Sequence, residues 1–266
     1  MIYYFSGTGN SQWAARQLAR HLNTTALRIT EDLTVGRDDD AVIGIVCPVY
    51  AWGAPPMVER FARELDYNRD AFTFILMTCG KDAGRATEKL AKHFPADSRY
   101  TLIMPENYVA LFKTDSPDVE ARKLDAAEEE LKTITEEIKS RKAVTRVHPG
   151  VFATAKTKLI NPFFHRFASR THNFTVSDAC ISCEICYDIC PSNAIEMREG
   201  RPVWVKDHCA ICLGCLHRCK ANAIEKGRNT AKNGRYYYGH NARKKKVSAI
   251  KQRRLERIAK NKQNKD

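Results

Sequence analysis

Eight of the ten cysteines lie in residues 180–219, where one spacing occurs twice. Four of them form the pattern CxxCxxCxxxC, and the other four repeat it 29 residues later: Cys180, Cys183, Cys186 and Cys190, then Cys209, Cys212, Cys215 and Cys219. The flanking sequences CPSNAIE and CKANAIE repeat as well, which indicates an internal duplication. Iron–sulfur clusters require thiolate ligands, and at this spacing three thiolates bind one cluster while the fourth reaches another. The pattern therefore predicts iron–sulfur binding.

Zinc and disulfides account for the pattern less well. Structural zinc sites use well-separated pairs of ligands, which four short spacings repeated twice do not match. Met1 leads directly into apolar and aromatic residues with no secretory signal, so we expect a cytoplasmic protein whose thiols stay reduced. Cys47 and Cys79 lie apart from the repeat at the ends of predicted strands, which is typical of packing residues.

A second candidate site is the glycine loop, residues 6–11, between the first predicted strand and the first predicted helix. Its members are Ser6, Gly7, Thr8, Gly9, Asn10 and Ser11. Backbone N–H groups and the helix dipole favour an anion there, and the hydroxyls add donors. The loop lacks the lysine of a Walker motif, and Gln12 stands where a dinucleotide fingerprint needs its third glycine. The loop favours a monophosphate over NAD, with an ordinary strand-to-helix turn as the alternative.

These residues must be positioned by alternating strands and helices. Apolar runs at residues 1–6, 26–29, 41–47, 72–78 and 100–104 predict five strands, and helical spacing follows near residues 10, 57, 84 and 118. Such alternation predicts an α/β domain over residues 1–143, with helices on both faces of a parallel sheet. Residues 144–175 are predicted to be a connector that packs on one or both domains, residues 176–226 the cysteine module, and residues 227–266 a basic tail, either helical or disordered.

The glycine loop and the sheet pattern resemble those of flavodoxins. This resemblance implies a doubly wound sheet with strand order 2-1-3-4-5 and FMN at the C-terminal strand ends, its phosphate on the glycine loop. Tyr50 or Trp52 would then stack on the flavin ring. The implied ring-binding residues follow the third and fourth strands: Pro48, Val49, Tyr50, Ala51, Trp52 and Gly53, and Thr78, Cys79 and Gly80.

The cysteine repeat is similar to that of bacterial ferredoxins with two clusters, which are small α+β domains. The resemblance implies two [4Fe–4S] clusters, each bound by three cysteines of one repeat and one of the other. The first cysteine set is then Cys180, Cys183, Cys186 and Cys219, and the second cysteine set is Cys190, Cys209, Cys212 and Cys215. Lys220 follows Cys219 where that family often has proline.

Over residues 1–226 the chain resembles flavodoxin–ferredoxin fusion proteins. The resemblance implies an electron-transfer protein that passes electrons between two [4Fe–4S] clusters and FMN for partner oxidoreductases. No nicotinamide-binding domain is recognisable, which favours a carrier over an enzyme. A flavin-dependent reductase of a small molecule, fed by the chain's own clusters, stays open.

The positive charge is concentrated near the C-terminus. Residues 228–266 hold 14 of the 44 Lys and Arg but two of the 31 Asp and Glu, and so carry +12 of the net +13. Such a tail attracts acidic protein faces, nucleic acid or anionic membrane through the same field, and a redox sensor anchored by the tail is a further alternative. The longest apolar run, residues 41–52, is shorter than the ~18–20 residues needed to cross a bilayer, so no transmembrane helix is predicted.

Overall fold

The computed structural model describes residues 1–240. The first half of the chain is built around a parallel sheet. Its strands are β1 (Ile2–Tyr4), β2 (Ala26–Arg28), β3 (Val42–Pro48), β4 (Phe72–Cys79), β5 (Ser98–Ile103) and β6 (Thr145–Arg146). They lie in the order β2-β1-β3-β4-β5-β6, and every neighbouring pair is parallel. The fold is therefore flavodoxin-like α/β, and the expected order 2-1-3-4-5 is confirmed.

The sheet has one strand more than the five that the sequence predicts. β6 extends the edge by pairing Thr145 with Arg99 and Arg146 with Tyr100, inside the segment predicted as a connector. Both β6 residues are polar and exposed, so no apolar run marks this strand in the sequence.

Helices cover both faces of the sheet, as a doubly wound fold requires. They are α1 (Asn10–His21), α2 (Pro56–Glu64), α3 (Ala86–Ala91) and α4 (Pro117–Lys139). On one face α1 and α4 pack on a core that includes Ile2 and Tyr4, while α2 and α3 pack with Tyr3 on the other. Within residues 1–240 no helix is long and apolar enough to cross a bilayer.

A connector helix, residues 153–168, follows β6. It consists of α5 (Ala153–Ala155), a π-helical segment (Lys156–Ile160) and α6 (Asn161–Ala168). Of its three phenylalanines, Phe164 packs edge-to-face on Tyr50 and Tyr108, whereas Phe163 and Phe167 are exposed. The helix thus contacts the flavodoxin-like half through one of its faces.

The cysteine module is a small α+β unit in which the sequence duplication is visible. Its elements are β7 (Phe174–Val176), α7 (Ile185–Asp188), β8 (Ile195–Arg198), β9 (Arg201–Trp204), α8 (Gly214–Arg218) and β10 (Ile224–Lys226). β7 pairs with β10 and β8 with β9, both antiparallel. Left-handed backbone at Ser182, Glu184 and Asn193 recurs 29 residues later at Ile211, Leu213 and Asn222. The two repeats therefore share one backbone conformation.

The described start of the basic tail is a strap, residues 228–239, that contains neither helix nor strand. It packs back on both halves, through the Asn233 carbonyl to the N–H of Thr114 and through Arg235 to Glu225. Tyr236 and Thr230 are buried in it. The helix expected in the tail rests on residues 241–263, and residues 241–266 lie outside the described residues.

Candidate functional site

The first cysteine set surrounds one pocket. The pocket is lined by Cys180, Cys183, Cys186 and Cys219 together with apolar side chains that include Ile185, Met197 and Ile224. Burial raises the pKa of the Cys186 thiol to about 11, and the nearby Cys183 and Cys219 thiols contribute to that rise. The last cysteine of the second repeat thus lies with three cysteines of the first repeat.

The second cysteine set is brought together in the same way. Burial raises the pKa of the Cys212 thiol to about 12, with further contributions from Cys209 and Cys190. The pKa of the buried Cys215 thiol also lies well above its usual range, because of burial and the nearby Cys212, Cys209 and Cys190 thiols. Metal binding to Cys212 and Cys215 must therefore displace their protons.

Backbone N–H groups point at several of these sulfur atoms. Ala194 donates to Cys190 Sγ at 3.4 Å, and Ala223 donates to Cys219 Sγ at 3.2 Å, 29 residues further on. Ile211 donates to Cys209 Sγ at 3.4 Å. Such donors stabilise cluster-bound thiolates and tune their potential. Within residues 1–240 no three His, Cys, Asp or Glu side chains converge as ligands of a single metal ion do.

These observations agree with the donor requirements of [4Fe–4S] clusters. Each set offers four thiols and at least one N–H donor to sulfur, and the first set borders a pocket with an apolar lining. The residues present therefore fit two such clusters.

Cationic groups lie beside the second cysteine set, and one of them has no signature in the sequence. Lys226 is buried at the end of β10, where its Nζ donates to the Arg170 carbonyl and lies 4.3 Å from the centroid of the Phe174 ring. Burial lowers the pKa of Lys226, and the Cys209 and Cys215 thiols oppose that shift. In the sequence Lys226 reads as an ordinary residue next to the basic tail.

A groove also borders Cys209. Its lining includes Arg60, Arg63, Lys206, His165 and His208. Burial lowers the pKa of His165. The second cysteine set thus lies near a cationic part of the surface.

The glycine loop is covered, and each of its polar side chains already has a protein partner. Ser6 accepts from the N–H of Gly9, Thr8 accepts from Asn107 Nδ2 at 2.7 Å, and Ser11 bonds to Thr78. Asn10 donates to the Pro105 carbonyl and accepts from the Tyr236 hydroxyl of the strap. All four side chains are buried.

The predicted ring-binding turn is covered as well. Tyr50 and Gly53 exchange backbone hydrogen bonds of 2.8 and 3.1 Å around Ala51 and Trp52, both of which have positive φ. Asn161 of the connector helix is fully buried and donates to the Tyr50 carbonyl. The indole of Trp52 donates to Asp82 and lies under Lys156 Nζ.

The other predicted ring-binding residues lie at the C-terminal ends of β3 and β4, where protein groups surround them. Val49 donates to the carbonyl of Thr78, which continues the pairing of β3 with β4 past Pro48. Cys79 is buried, which raises the pKa of its thiol to about 12. A Cβ on Gly80 would lie 2.6 Å from Glu106 Oε2.

FMN does not fit this arrangement without displacement of protein groups. Its phosphate would have to replace the partners of Ser6, Thr8, Asn10 and Ser11, and its ring would have to displace the connector helix from the Tyr50 turn. The FMN contacts expected from the sequence stay predictions.

Known proteins resemble separate parts of the chain. Residues 175–196, which contain four cysteines of the first repeat, match the family model described as a 4Fe-4S binding domain. No similar sequence is found among functionally curated proteins.

Two solved structures provisionally described as flavoproteins are similar to part of the chain. The protein from Bacteroides uniformis is 18% identical with a TM-score of 0.32, covering 39% of this chain and 88% of its own. The protein from Bacteroides eggerthii is 16% identical with a TM-score of 0.31, covering 38% and 84%.

The fold and the family match together define a class. The chain combines a flavodoxin-like α/β half with a small module that has a 4Fe–4S binding domain. A domain of this kind supports iron–sulfur electron transfer with redox partners.

Proposed function

We infer that this chain is an electron-transfer protein that carries two [4Fe–4S] clusters, one on each cysteine set. The observation that carries this proposal is the duplicated cysteine pattern. Its eight thiols lie in two groups of four, and each group combines three thiols of one repeat with the last thiol of the other. A bound [4Fe–4S] cluster supplies reversible one-electron transfer. Residues 176–226 form the cluster-binding domain, and residues 1–143 form a flavodoxin-like domain that supports it.

The protein's own groups hold the two clusters in different surroundings. Cys183 of the first set is exposed and places that site at the surface, where a partner can approach. The equivalent Cys212 of the second set is less exposed, and Lys226 adds positive charge near Cys209 and Cys215. Burial and nearby charge are two properties by which proteins adjust the potential of such sites.

Anaerobic reconstitution with iron and sulfide tests this function. We expect about eight irons and eight acid-labile sulfides per chain, with two EPR signals after reduction. Cys47→Ala is the matched control, because Cys47 is buried in β3 outside both sets and should be dispensable for iron binding. A protein that holds zinc and no acid-labile sulfide would refute the proposal.

A carrier that also uses FMN is the second candidate function. The hydroxyls of the glycine loop and its position at the start of α1 favour an anion, since the first intrahelical bond runs from Trp13 N–H to the Gly9 carbonyl and leaves earlier N–H groups free of intrahelical partners. Release of about one FMN per chain from the reconstituted protein would establish this candidate. A reductase with its own small-molecule substrate would further require turnover of that substrate by the purified protein.

A further inference from the structure

The C-terminal ends of β1 and β3 form the crevice in which an open α/β sheet of this strand order binds its ligand. In this chain the cysteine loop, residues 209–215, packs into that crevice. Cys212 and Ala210 pack against the core formed by β1 and β3, and Tyr50, just after β3, is partly buried beside the Cys209 and Cys212 thiols. An iron–sulfur loop thus lies where the fold offers a nucleotide site.

Two glycines allow the cysteine loop to approach the glycine loop this closely. A Cβ on Gly7 would lie 2.1 Å from the Cys212 carbonyl oxygen, far inside van der Waals contact. A Cβ on Gly214 would lie 3.1 Å from the Gly7 carbonyl oxygen. Gly7 is therefore required by the contact with the cysteine loop, which is a role separate from binding a phosphate.

The second repeat is adapted to this contact where the first repeat is not. Glu184 and Ile185 in the first repeat become Leu213 and Gly214 in the second, at equivalent positions. Tyr187, which is 51% exposed, becomes Leu216, which is 0% exposed. Exposed residues are thus replaced by Leu213 and Leu216, which join an apolar cluster with Val109. Gly214 in turn lies against Gly7.

The strap closes the remaining side of the glycine loop. The N–H of Tyr238 donates to the Thr8 carbonyl at 2.8 Å, and the Tyr238 ring stacks on Trp13 with centroids 5.3 Å apart. Tyr236 donates its hydroxyl to Asn10 and its N–H to His217 Nδ1. His217 Nε2 in turn bonds to the carbonyl of Asn107, whose amide reaches Thr8. The polar groups expected for a phosphate thus bond to the strap, to neighbouring loops of the sheet or to the glycine loop itself.

We propose that the second cysteine set occupies the crevice of the flavodoxin-like sheet, and that the glycine loop positions this set instead of binding a flavin phosphate. The inference rests on the proposed function, because it concerns the position of one of the two proposed clusters. It assigns Gly7, Gly214 and the strap tyrosines a structural role toward that cluster. The flavodoxin-like half is then the support of an iron–sulfur site.

Gly7→Ala in the reconstituted full-length chain tests the proposal. The added methyl group meets the Cys212 backbone, so we expect loss of about half of the iron, loss of one EPR signal and a lower Tm. Gly36→Ala is the matched control, because a Cβ on Gly36 would meet nothing within 4 Å, and it should keep all the iron. A Gly7→Ala protein with full iron and both EPR signals unchanged would overturn the proposal.

Flavin titration is the second measurement and remains decisive if Gly7→Ala does not fold. FMN fluorescence is followed as FMN is added to the reconstituted wild-type chain, and we expect no saturable quenching and less than about one-tenth of a flavin per chain after gel filtration. Full iron together with one tightly bound FMN would overturn this inference and leave the proposed function standing. A chain without iron and sulfide would overturn both.

Discussion

The two cysteine repeats have the same backbone and opposite surroundings. Left-handed residues occupy equivalent positions in both, yet Glu184 and Tyr187 of the first repeat are exposed, whereas their equivalents Leu213 and Leu216 in the second are 3% and 0% exposed. The cysteine spacing therefore dictates how a set of thiols is held, and the residues between the cysteines decide where it is placed. The first set faces solvent, where a partner protein can approach, and the second set faces the sheet.

Loss of one buried cysteine from each set should give the largest measurable difference between the two sets. Cys215→Ser and Cys186→Ser change equivalent buried residues, and each should remove one EPR signal and about half of the iron. Because the second set is packed against the sheet, Cys215→Ser should also lower Tm by about 6 °C or more, at about 2–4 °C per kcal/mol for a chain of this size. Equal losses of Tm in the two variants would contradict the difference in placement.

Exchange of equivalent side chains tests the residues between the cysteines. Leu213→Glu places the glutamate of the first repeat in the buried second repeat, and an unpaired buried charge costs about 3–5 kcal/mol. Glu184→Leu makes the reverse change at an exposed position and should alter the free energy of unfolding by less than about 0.5 kcal/mol. Both residues have positive φ, so backbone strain does not differ between them. Denaturant unfolding of the reconstituted variants measures both values.

Removal of a buried positive charge should change the potential of one site. Lys226→Met deletes the ammonium group near Cys209 and Cys215, so the reduced, more negative form of that site loses stabilisation. We expect its midpoint potential to fall by on the order of 50 mV, where about 59 mV equals a tenfold change for one electron. Lys220→Met, at an exposed residue beside Cys219, should shift the other potential much less. EPR-monitored redox titration distinguishes these results.

Substitution at the exposed site should have the smallest effect. Tyr187→Ser removes a half-exposed ring beside the first set, and the free energy of unfolding should change by no more than the roughly ±0.5 kcal/mol that is usual for surface changes. The rate of cytochrome c reduction should fall about threefold if this surface is where electrons leave, since aromatic residues often dominate such contacts. An unchanged rate would place the exit elsewhere, for example at the groove beside Cys209.

The sequence predicted those features that depend on local patterns. Alternating apolar runs predicted the sheet and its helices, and the resemblance of the cysteine repeat to two-cluster ferredoxins predicted the small α+β module. β6 was missed because a two-residue polar edge strand has no apolar signature. The burial of the second repeat did have a signal, since Leu213 and Leu216 stand where Glu184 and Tyr187 stand in the first.

Closure of the glycine loop could not be predicted from local patterns. It depends on contacts between residues distant in the sequence, such as Asn10 with Tyr236 at a separation of 226 residues. The strap lies within the basic tail, and three consecutive tyrosines at residues 236–238 are its one distinctive sequence feature. A loop that reads as a ligand site in isolation thus becomes an interface once the rest of the chain has folded.

The strap has a consequence for the order of events during synthesis. Residues 1–143 leave the ribosome long before Tyr236 and Tyr238, and domains generally fold as they emerge from the N-terminus. The nascent flavodoxin-like half therefore passes through a stage in which its glycine loop has neither the cysteine loop nor the strap upon it. The last described residues of the chain therefore complete the surroundings of a loop that is among the first to be synthesised.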